Sequence, residues 1–405
     1  MNQVYDVVVV GAGPGGSSAA YYLSVHGLKV LLLDKSDFPR EKTCGDGLTP
    51  HALRVLDEMG IISEVAGVGY QINGITIHSP GGHTVRAAVP EVAGFPDHLL
   101  IVPRVKLDNL VRQRAVDNGA HFLAPVNVQG IRAERGQVLV LGENRRASLS
   151  LRARLVVLAT GANLGLLARL GMLSGTPEMF LGSRAYFDGL NGLSDHVQVF
   201  TDGVPMPGYG WVFPTSETSA NLGVGVMNGR GRKKRRKRSA RNAFEKFLQS
   251  PALQRMCEHA YQVSPRQGYP LRIDFPKSPT SGSGMLLVGE AAGLVSPLTG
   301  EGIDLALESG KMAAEHIIAM FTKGDFSTQA LAAYDRILRQ RYARLFSYLR
   351  RLRSIYLNPL LADRVVRLVD KATDLNKLLV SILLGYQDAA LGLTPRILLR
   401  VLKQQ

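Results

Sequence analysis

The segment from Val7 to Asp34 constrains this chain more than any other. Val7 to Val10 is an apolar, β-branched run, the pattern of a strand buried on both faces of a parallel sheet. It opens into Gly11-Ala12-Gly13-Pro14-Gly15-Gly16, followed by a helical stretch from Ser17 to Ser24 and a second buried run, Lys29 to Leu33, ending at Asp34. Strand, G-x-G-x-x-G turn, helix, strand and terminal acid together make a βαβ unit that binds a dinucleotide. Gly11 permits the tight turn, Gly13 lets a pyrophosphate approach the backbone, and Gly16 allows close helix–strand packing. The helix N-terminus, with Pro14 and Gly15, offers free N–H groups and a positive dipole end to phosphates. Asp34, followed by Lys35, accepts from the adenosine ribose. The later Gly223-Val224-Gly225 and Gly229-Arg230-Gly231 lack a following amphipathic helix and read as strand and loop glycines.

NAD and FAD share this fingerprint, so other segments decide between them. Leu286-Leu287-Val288-Gly289-Glu290 is a short buried strand running into small residues. It is followed by Ser296-Pro297-Leu298-Thr299-Gly300-Glu301-Gly302-Ile303 and a helical run from Asp304 to Phe321. An acid at a strand end suits a ribityl hydroxyl, and glycines before a helix let its N-terminus approach a flavin pyrimidine edge.

The order GAGPGG, Asp34, Gly289-Glu290, Pro297 and Gly300-x-Gly302 resembles the FAD-binding pattern of the p-hydroxybenzoate hydroxylase superfamily. Arg104 matches that superfamily's arginine beside the ribityl–pyrophosphate region, and the resemblance places Lys35, Cys44, Gly45, Val126, Gly300, Gly302 and Ile303 among the cofactor contacts. Two departures stand out. Glu290 replaces the usual Asp, and Thr160-Gly161 replaces an Asp-Gly pair that serves both FAD and NAD(P)H in hydroxylases. The segment Pro39-Arg40-Glu41-Lys42-Thr43-Cys44-Gly45-Asp46-Gly47 resembles one found in geranylgeranyl reductases. So does Tyr209-Gly210-Trp211-Val212-Phe213-Pro214, followed by Asn221 to Gly225, although Thr215 replaces a frequent Lys.

That resemblance, over roughly residues 1–330, implies FAD-dependent reduction of C=C bonds in a geranylgeranyl or other polyprenyl group, with NAD(P)H or a ferredoxin-like protein as electron donor. It implies a substrate wall at Tyr209, Trp211, Phe213 and Pro214. From the residues themselves, Cys44 and Asp46 stand in a glycine-flanked turn from which either could supply a proton, or serve only as an inert thiol and a turn carboxylate. Tyr209 and Trp211 fall on one face of a strand and suit either a tunnel for a flexible chain or ordinary sheet packing. The alternatives are an FAD monooxygenase or halogenase of a specialised pathway, and a non-catalytic flavin protein at a membrane surface. Trp211 is the single Trp, against the W-x-W-x-I-P segment of halogenases.

The fold class expected is α/β: a Rossmann-type, p-hydroxybenzoate hydroxylase-like FAD domain, an antiparallel-sheet substrate domain and a helical C-terminal segment. The FAD domain is assigned to 1–69, 97–168 and 276–330, the substrate domain to 70–96 and 169–275, and the helical segment to 331–405. Substrate-domain strands are expected at Ile72 to Ile77, Thr84 to Val89, Arg184 to Phe187, Val197 to Phe200 and Ala220 to Val226, and a helix at Ala243 to Leu253.

Charge adds a question about partners. The net charge of +15 is concentrated in two places. One is the acid-free run from Arg230 to Arg241, and the other is the tail from Arg336 onward, so the remaining body is near neutral. The tail carries an apolar stripe of Ile337, Leu338, Tyr342, Leu345, Leu349 and Leu352 with arginines on other faces. It suits a membrane interface or a lid over the substrate domain. The basic run suits a solvated loop or an anionic lipid surface; no nucleic-acid-reading module accompanies it, so nucleic acid is not expected. Two Cys and scattered His give no metal-ligand spacing. With no secretory leader and no apolar stretch of about 18 residues, the expected location is cytoplasmic, peripheral on the inner face of the cell membrane.

Overall fold

The computed structural model describes residues 4–134, 136–173, 175–227, 239–356, 359–386 and 394. One of two eight-stranded sheets is built on the βαβ unit. Its path runs Ser281–Gly282, Met285–Leu287, Ser148–Leu158, Val4–Val10, Val30–Leu33, His121–Leu123, and all pairings after the first are parallel. Asn127–Glu134 and Gln137–Glu143 extend it through an antiparallel ribbon on Ser148–Leu158. Val7, Val8 and Val9 are wholly buried, as a strand covered by helices on both faces requires.

Two helices cross tightly over the first turn. Helix Pro14–Val25 packs on helix Ile303–Lys323, where Ser18 Oγ donates to the Leu307 carbonyl at 2.8 Å. The contact is close because a Cβ on Gly310 would lie 2.3 Å from the Gly15 carbonyl oxygen. Gly16 meets the sheet in the same way: a Cβ there would lie 1.8 Å from the Gly11 carbonyl oxygen.

The second eight-stranded sheet follows the order Tyr261–Gln262, Met179–Asp188, Ala220–Met227, Gly208–Pro214, His196–Phe200, Gly74–His78, Thr84–Ala88, with Gln267–Arg272 also on Met179–Asp188. It is antiparallel except where His196–Phe200 runs parallel to Gly74–His78. The expected strand from Ile72 to Ile77 is instead two. Tyr70–Ile72 joins a three-stranded sheet with Gly47–Leu48 and Leu99–Ile101, and Asn73 turns the chain by bonding Asp195 and Val89 through its backbone. The helix expected at Ala243 to Leu253 is likewise two, Ala240–Leu248 and Pro251–Met256, because Pro251 has no N–H to continue the first and sits well in the first turn of the second.

Among the described residues the C-terminal segment is helical, with Thr328–Tyr356, Pro359–Lys371 and Thr373–Leu383; of the expected span 331–405, residues 357–358, 387–393 and 395–405 lie outside the described residues. On the first of these, Leu338, Tyr342, Leu349 and Leu352 are buried as the stripe implies, joined by Tyr334 and Phe346. Ile337 is exposed. This helix packs on the FAD-side half, with the Tyr334 hydroxyl donating to the Leu287 carbonyl at 3.2 Å. The next two helices cover the Gly74–Ala88 hairpin. Asp363 clasps it, accepting from Ser79 Oγ at 2.6 Å and from the Gly81 N–H at 3.0 Å. Of the basic run 230–241, residues 230–238 lie outside the described residues. Among the described residues no helix is long and apolar enough to cross a membrane.

Candidate active site

One cavity of about 650 Å³ connects the two halves, and its walls change character along its length. At one end stand Gly11, Gly13, Pro14 and Gly15. Gly11 has φ +107°, a conformation that favours glycine, and a Cβ there would lie 2.3 Å from the Ala159 carbonyl oxygen. Gly13 caps helix Pro14–Val25 without a side-chain hydrogen bond, leaving the first-turn amides free for phosphate oxygens. A Cβ on Gly13 would meet only the Arg40 guanidinium, at 3.5 Å. Gly16 does not line this space; it serves the helix–strand packing described above.

Asp34 is fixed at the end of its strand by accepting from the Ala12 N–H at 2.8 Å and the Ser36 N–H at 2.9 Å. Lys35 lies at the rim, and Val126 lines the wall with its N–H on the Asp34 carbonyl at 2.7 Å. Arg104 is buried, with Nε and a terminal nitrogen 2.6 and 2.8 Å from the wholly buried Asp108. Arg40 reaches the same carboxylate at 3.1 Å. Asp108 thus gathers two guanidinium groups beside the phosphate turn. Arg104 was legible in the sequence; Arg40 was quoted only as part of a motif, and no local signal tied it to Asp108.

Farther along, Gly289, Glu290, Gly300, Gly302 and Ile303 line the cavity. Helix Ile303–Lys323 begins at Gly302 with no side-chain cap; Asp304 Oδ1 accepts from the Leu305 N–H at 2.7 Å, so only the amides before Leu305 remain for this space. Glu290 Oε1 accepts from the Arg272 N–H at 3.0 Å. Burial raises the Glu290 carboxyl above its ordinary range, against the opposing pull of the Lys42 ammonium. Lys42 lies 3.1 Å from the centre of the Tyr269 ring, and burial brings it down to about 8 while Glu290 resists. Neither Lys42 nor Tyr269 was singled out from the sequence as a site residue.

Cys44, Gly45 and Asp46 form the wall where the halves meet. Asp46 is wholly buried with φ 68°, a left-handed conformation unusual for a residue other than glycine. Its Oδ2 accepts from the Tyr186 hydroxyl at 2.5 Å and from Asn221 Nδ2 at 2.7 Å, whereas Oδ1 has no partner. Burial pushes this carboxyl up to about 6, with the Tyr186 and Asn221 hydrogen bonds and the Arg184 charge pulling the other way. Tyr186 and Asn221, like Lys42 and Tyr269, were not named as site residues from the sequence.

The remaining wall is apolar. Trp211, Phe213 and Tyr209 project from alternate positions of Gly208–Pro214, while Val212 joins the core on the other face. Pro214 ends the strand buried but off the cavity, so it is not a wall residue. Ile75, Ile77, Val197 and Val199 continue the surface on two adjacent strands. Opposite them stand Val365 and Val366 of helix Pro359–Lys371 and Leu379 and Leu383 of helix Thr373–Leu383. Of the two roles open to the tail, its last two described helices therefore take that of a wall over the substrate sheet.

The donor set fits FAD: an uncapped helix N-terminus with room for pyrophosphate at Gly13, a fixed acid for ribose, two arginines, and a second uncapped helix N-terminus where a flavin pyrimidine would lie. Among the described residues no His, Cys, Asp and Glu cluster suits a metal.

Comparison with known proteins agrees. A family described as FAD binding domain matches residues 4–347. A menaquinone reductase of Mycolicibacterium smegmatis is 33% identical over 367 residues, covering 87% of this chain and 84% of its own. A digeranylgeranylglycerophospholipid reductase of Methanocaldococcus jannaschii is 30% identical, covering 86% of each chain. The crystal structure of a geranylgeranyl bacteriochlorophyll reductase-like protein from Thermoplasma acidophilum superimposes with a TM-score of 0.81 at 23% identity, over 91% of this chain and 92% of its own. A flavin-dependent brominase shares the fold at a TM-score of 0.70 and 22% identity, over 90% of this chain and 93% of its own.

Proposed function

We propose, starting from a chain that belongs to the geranylgeranyl reductase family of FAD-dependent oxidoreductases, that it saturates C=C bonds in the polyprenyl chain of a membrane lipid. One observation carries the reading: the cavity runs without interruption from the phosphate turn at Gly13 to an aliphatic channel walled by Ile77, Val199, Val366 and Leu379. A polyprenyl chain is long, apolar and flexible, and such a channel removes it from water while aligning one double bond. The two relatives act on molecules with different head groups, and a prenyl chain is the chemistry menaquinone and a digeranylgeranyl lipid have in common.

FAD, when bound and reduced, supplies a hydride to one alkene carbon. The second carbon needs a proton, and in this reading Asp46 gives it. Tyr186 and Asn221 both donate to Oδ2, so the proton of the neutral acid sits on the unpartnered Oδ1. Burial keeps the acid neutral to about pH 6, well above an ordinary Asp. Arg40 and Arg104 would hold phosphate, the first-turn amides after Gly302 would serve the flavin, and Trp211 with Phe213 would exclude water from the alkene. Cys44 shares the wall with Asp46. NAD(P)H or a ferredoxin-like protein would be the electron donor, and the basic segments would bring the enzyme to an anionic bilayer on the cytoplasmic side.

The test is mass spectrometry after incubating the protein and dithionite-reduced FAD with menaquinone and with a digeranylgeranyl glycerophospholipid. A digeranylgeranyl glycerophospholipid that gains mass in steps of two hydrogens, or a menaquinone that keeps such a gain after its ring is reoxidised in air, supports the reading. A product that gains oxygen under NADPH and air would replace it with a monooxygenase.

A further inference from the structure

We propose that Asn221 is a positioning residue that couples Trp211, on the channel wall, to Asp46 at the proton-transfer position. The inference rests on the reading of Asp46 as proton donor given above.

Asn221 is completely buried at the centre of three polar contacts. Trp211 Nε1 donates to Asn221 Oδ1 at 3.0 Å. Asn221 Nδ2 donates to Asp46 Oδ2 at 2.7 Å and to the Cys44 carbonyl at 2.8 Å. An indole nitrogen is a donor only, so it fixes which end of the amide carries oxygen. The amino end then has no choice but to face Asp46 and the Cys44 carbonyl. Register explains the meeting: Asn221 pairs with Phe213 on the neighbouring strand, two residues from Trp211.

The amide thereby does two things to the acid. It occupies Oδ2 together with Tyr186, which leaves Oδ1 to hold the proton. It also joins the acid to an indole that a bound chain must touch, because Trp211 lines the channel and packs against Gly45, whose added Cβ would lie 3.5 Å from Nε1. Any turn of the indole draws on the Asn221 oxygen and so alters the bond that its amino group gives Asp46. The other groups facing Asp46 are accounted for. Arg184, from the strand that carries Tyr186, pairs with Glu41 at 2.8 Å and lies 4.5 Å from the centre of the Tyr186 ring. Arg104 is held by Asp108, and Cys44 belongs to the same loop as Asp46.

The sequence has one Trp, so the ¹⁵N-labelled holoprotein gives one indole N–H resonance, and that resonance reads the link without turnover. Its position is expected to titrate with a single inflection near the Asp46 value of about 6. The inflection disappears in Asp46→Asn and in Asn221→Leu. In Tyr186→Phe it persists at higher pH, because the carboxylate loses one donor. A saturated geranylgeraniol analogue moves the inflection in the native protein, whereas in Asn221→Leu it shifts the resonance by direct contact without restoring an inflection.

An indole resonance that stays flat in the native protein, or that still titrates in Asp46→Asn, overturns the coupling. Tyr186→Phe and Asp46→Asn keep the test decisive if Asn221→Leu does not fold. The two readings fail separately. A titrating indole without any mass gain in polyprenyl lipids removes the reductase reading and leaves the coupling. Mass gain with a flat indole does the reverse.

Discussion

The Tyr209 hydroxyl donates to the Thr299 carbonyl, so the substrate sheet grips the loop that leads into helix Ile303–Lys323. The ring also stacks on Phe180, with centroids 5.6 Å apart. Arg353 holds the same loop from the opposite side through the Pro297 carbonyl at 3.2 Å. The amides at Gly302 are therefore aimed by contacts from two separate parts of the chain.

Tyr209→Phe keeps the ring and removes the grip. The loss of one hydrogen bond is worth about 1 kcal/mol, so the variant folds. Its effect falls on the flavin, because loosened amides stabilise the negative charge of the reduced ring less well. Spectroelectrochemical titration should give a more negative midpoint potential than that of the native protein, and an unchanged potential would deny the loop this role.

Asp46→Asn separates stability from activity. The raised value of the native carboxyl means that the folded state binds a proton the unfolded state has lost. That contribution is complete at low pH and is lost as pH rises through about 6, where a buried charge must form. Asparagine accepts the same two hydrogen bonds and tolerates the left-handed backbone. Thermal melts should show little difference at about pH 3, below the ordinary Asp value, and a gain for Asp46→Asn of about 1–3 kcal/mol at about pH 8. Reduction of the alkene should be lost at both.

In the native enzyme the same acid predicts a rate limb of definite sign. Proton donation needs neutral Asp46, so single-turnover oxidation of reduced flavin by the alkene should slow as pH rises above about 6. A rate that rises over this interval would assign the proton to another group.

Gly16→Ala tests the crossing beneath the phosphate turn. Its Cβ would need to occupy space 1.8 Å from a backbone oxygen, which a side-chain adjustment cannot relieve. A cost of about 1–3 kcal/mol or more is expected, together with loss of FAD on gel filtration. The FAD effect arises indirectly, since Gly16 itself stands off the cavity.

Asp363→Ala opens the tail wall. It removes acceptors for Ser79 Oγ and the Gly81 N–H and an ion pair with Arg367 at 3.3 Å. Hydrogen exchange should accelerate in helices Pro359–Lys371 and Thr373–Leu383 while helix Ile303–Lys323 keeps its protection.

The nucleotide end was legible because its determinants are local. A β-branched run, a glycine turn and an acid at the next strand end specify one another within the segment Val7 to Asp34. Glu290, Gly300 and Gly302 were legible for the same reason, as a strand end and a helix start. The acid's partners were not. Tyr186 and Asn221 reach Asp46 from positions far along the chain, and only the pairing of their strands brings them together. Arg40 meets Asp108 by the same kind of long-range accident of packing. The tail showed an amphipathic pattern, yet a helix facing a channel and a helix facing a bilayer carry the same apolar stripe. Pro214 read as wall because of its motif; strand alternation and the end of the strand put it elsewhere.

The Asp363 clasp also has a consequence for how the chain is made. Every strand of both large sheets precedes residue 290, whereas Val365, Val366, Leu379 and Leu383 follow it by more than a helix of chain. During synthesis the nucleotide cradle and the substrate sheet are complete while one side of the channel is still open to water. Until the last helices emerge and Asp363 finds Ser79 and Gly81, the nascent chain presents Ile75, Ile77, Val197 and Val199 as an uncovered greasy face, the surface a chaperone would recognise.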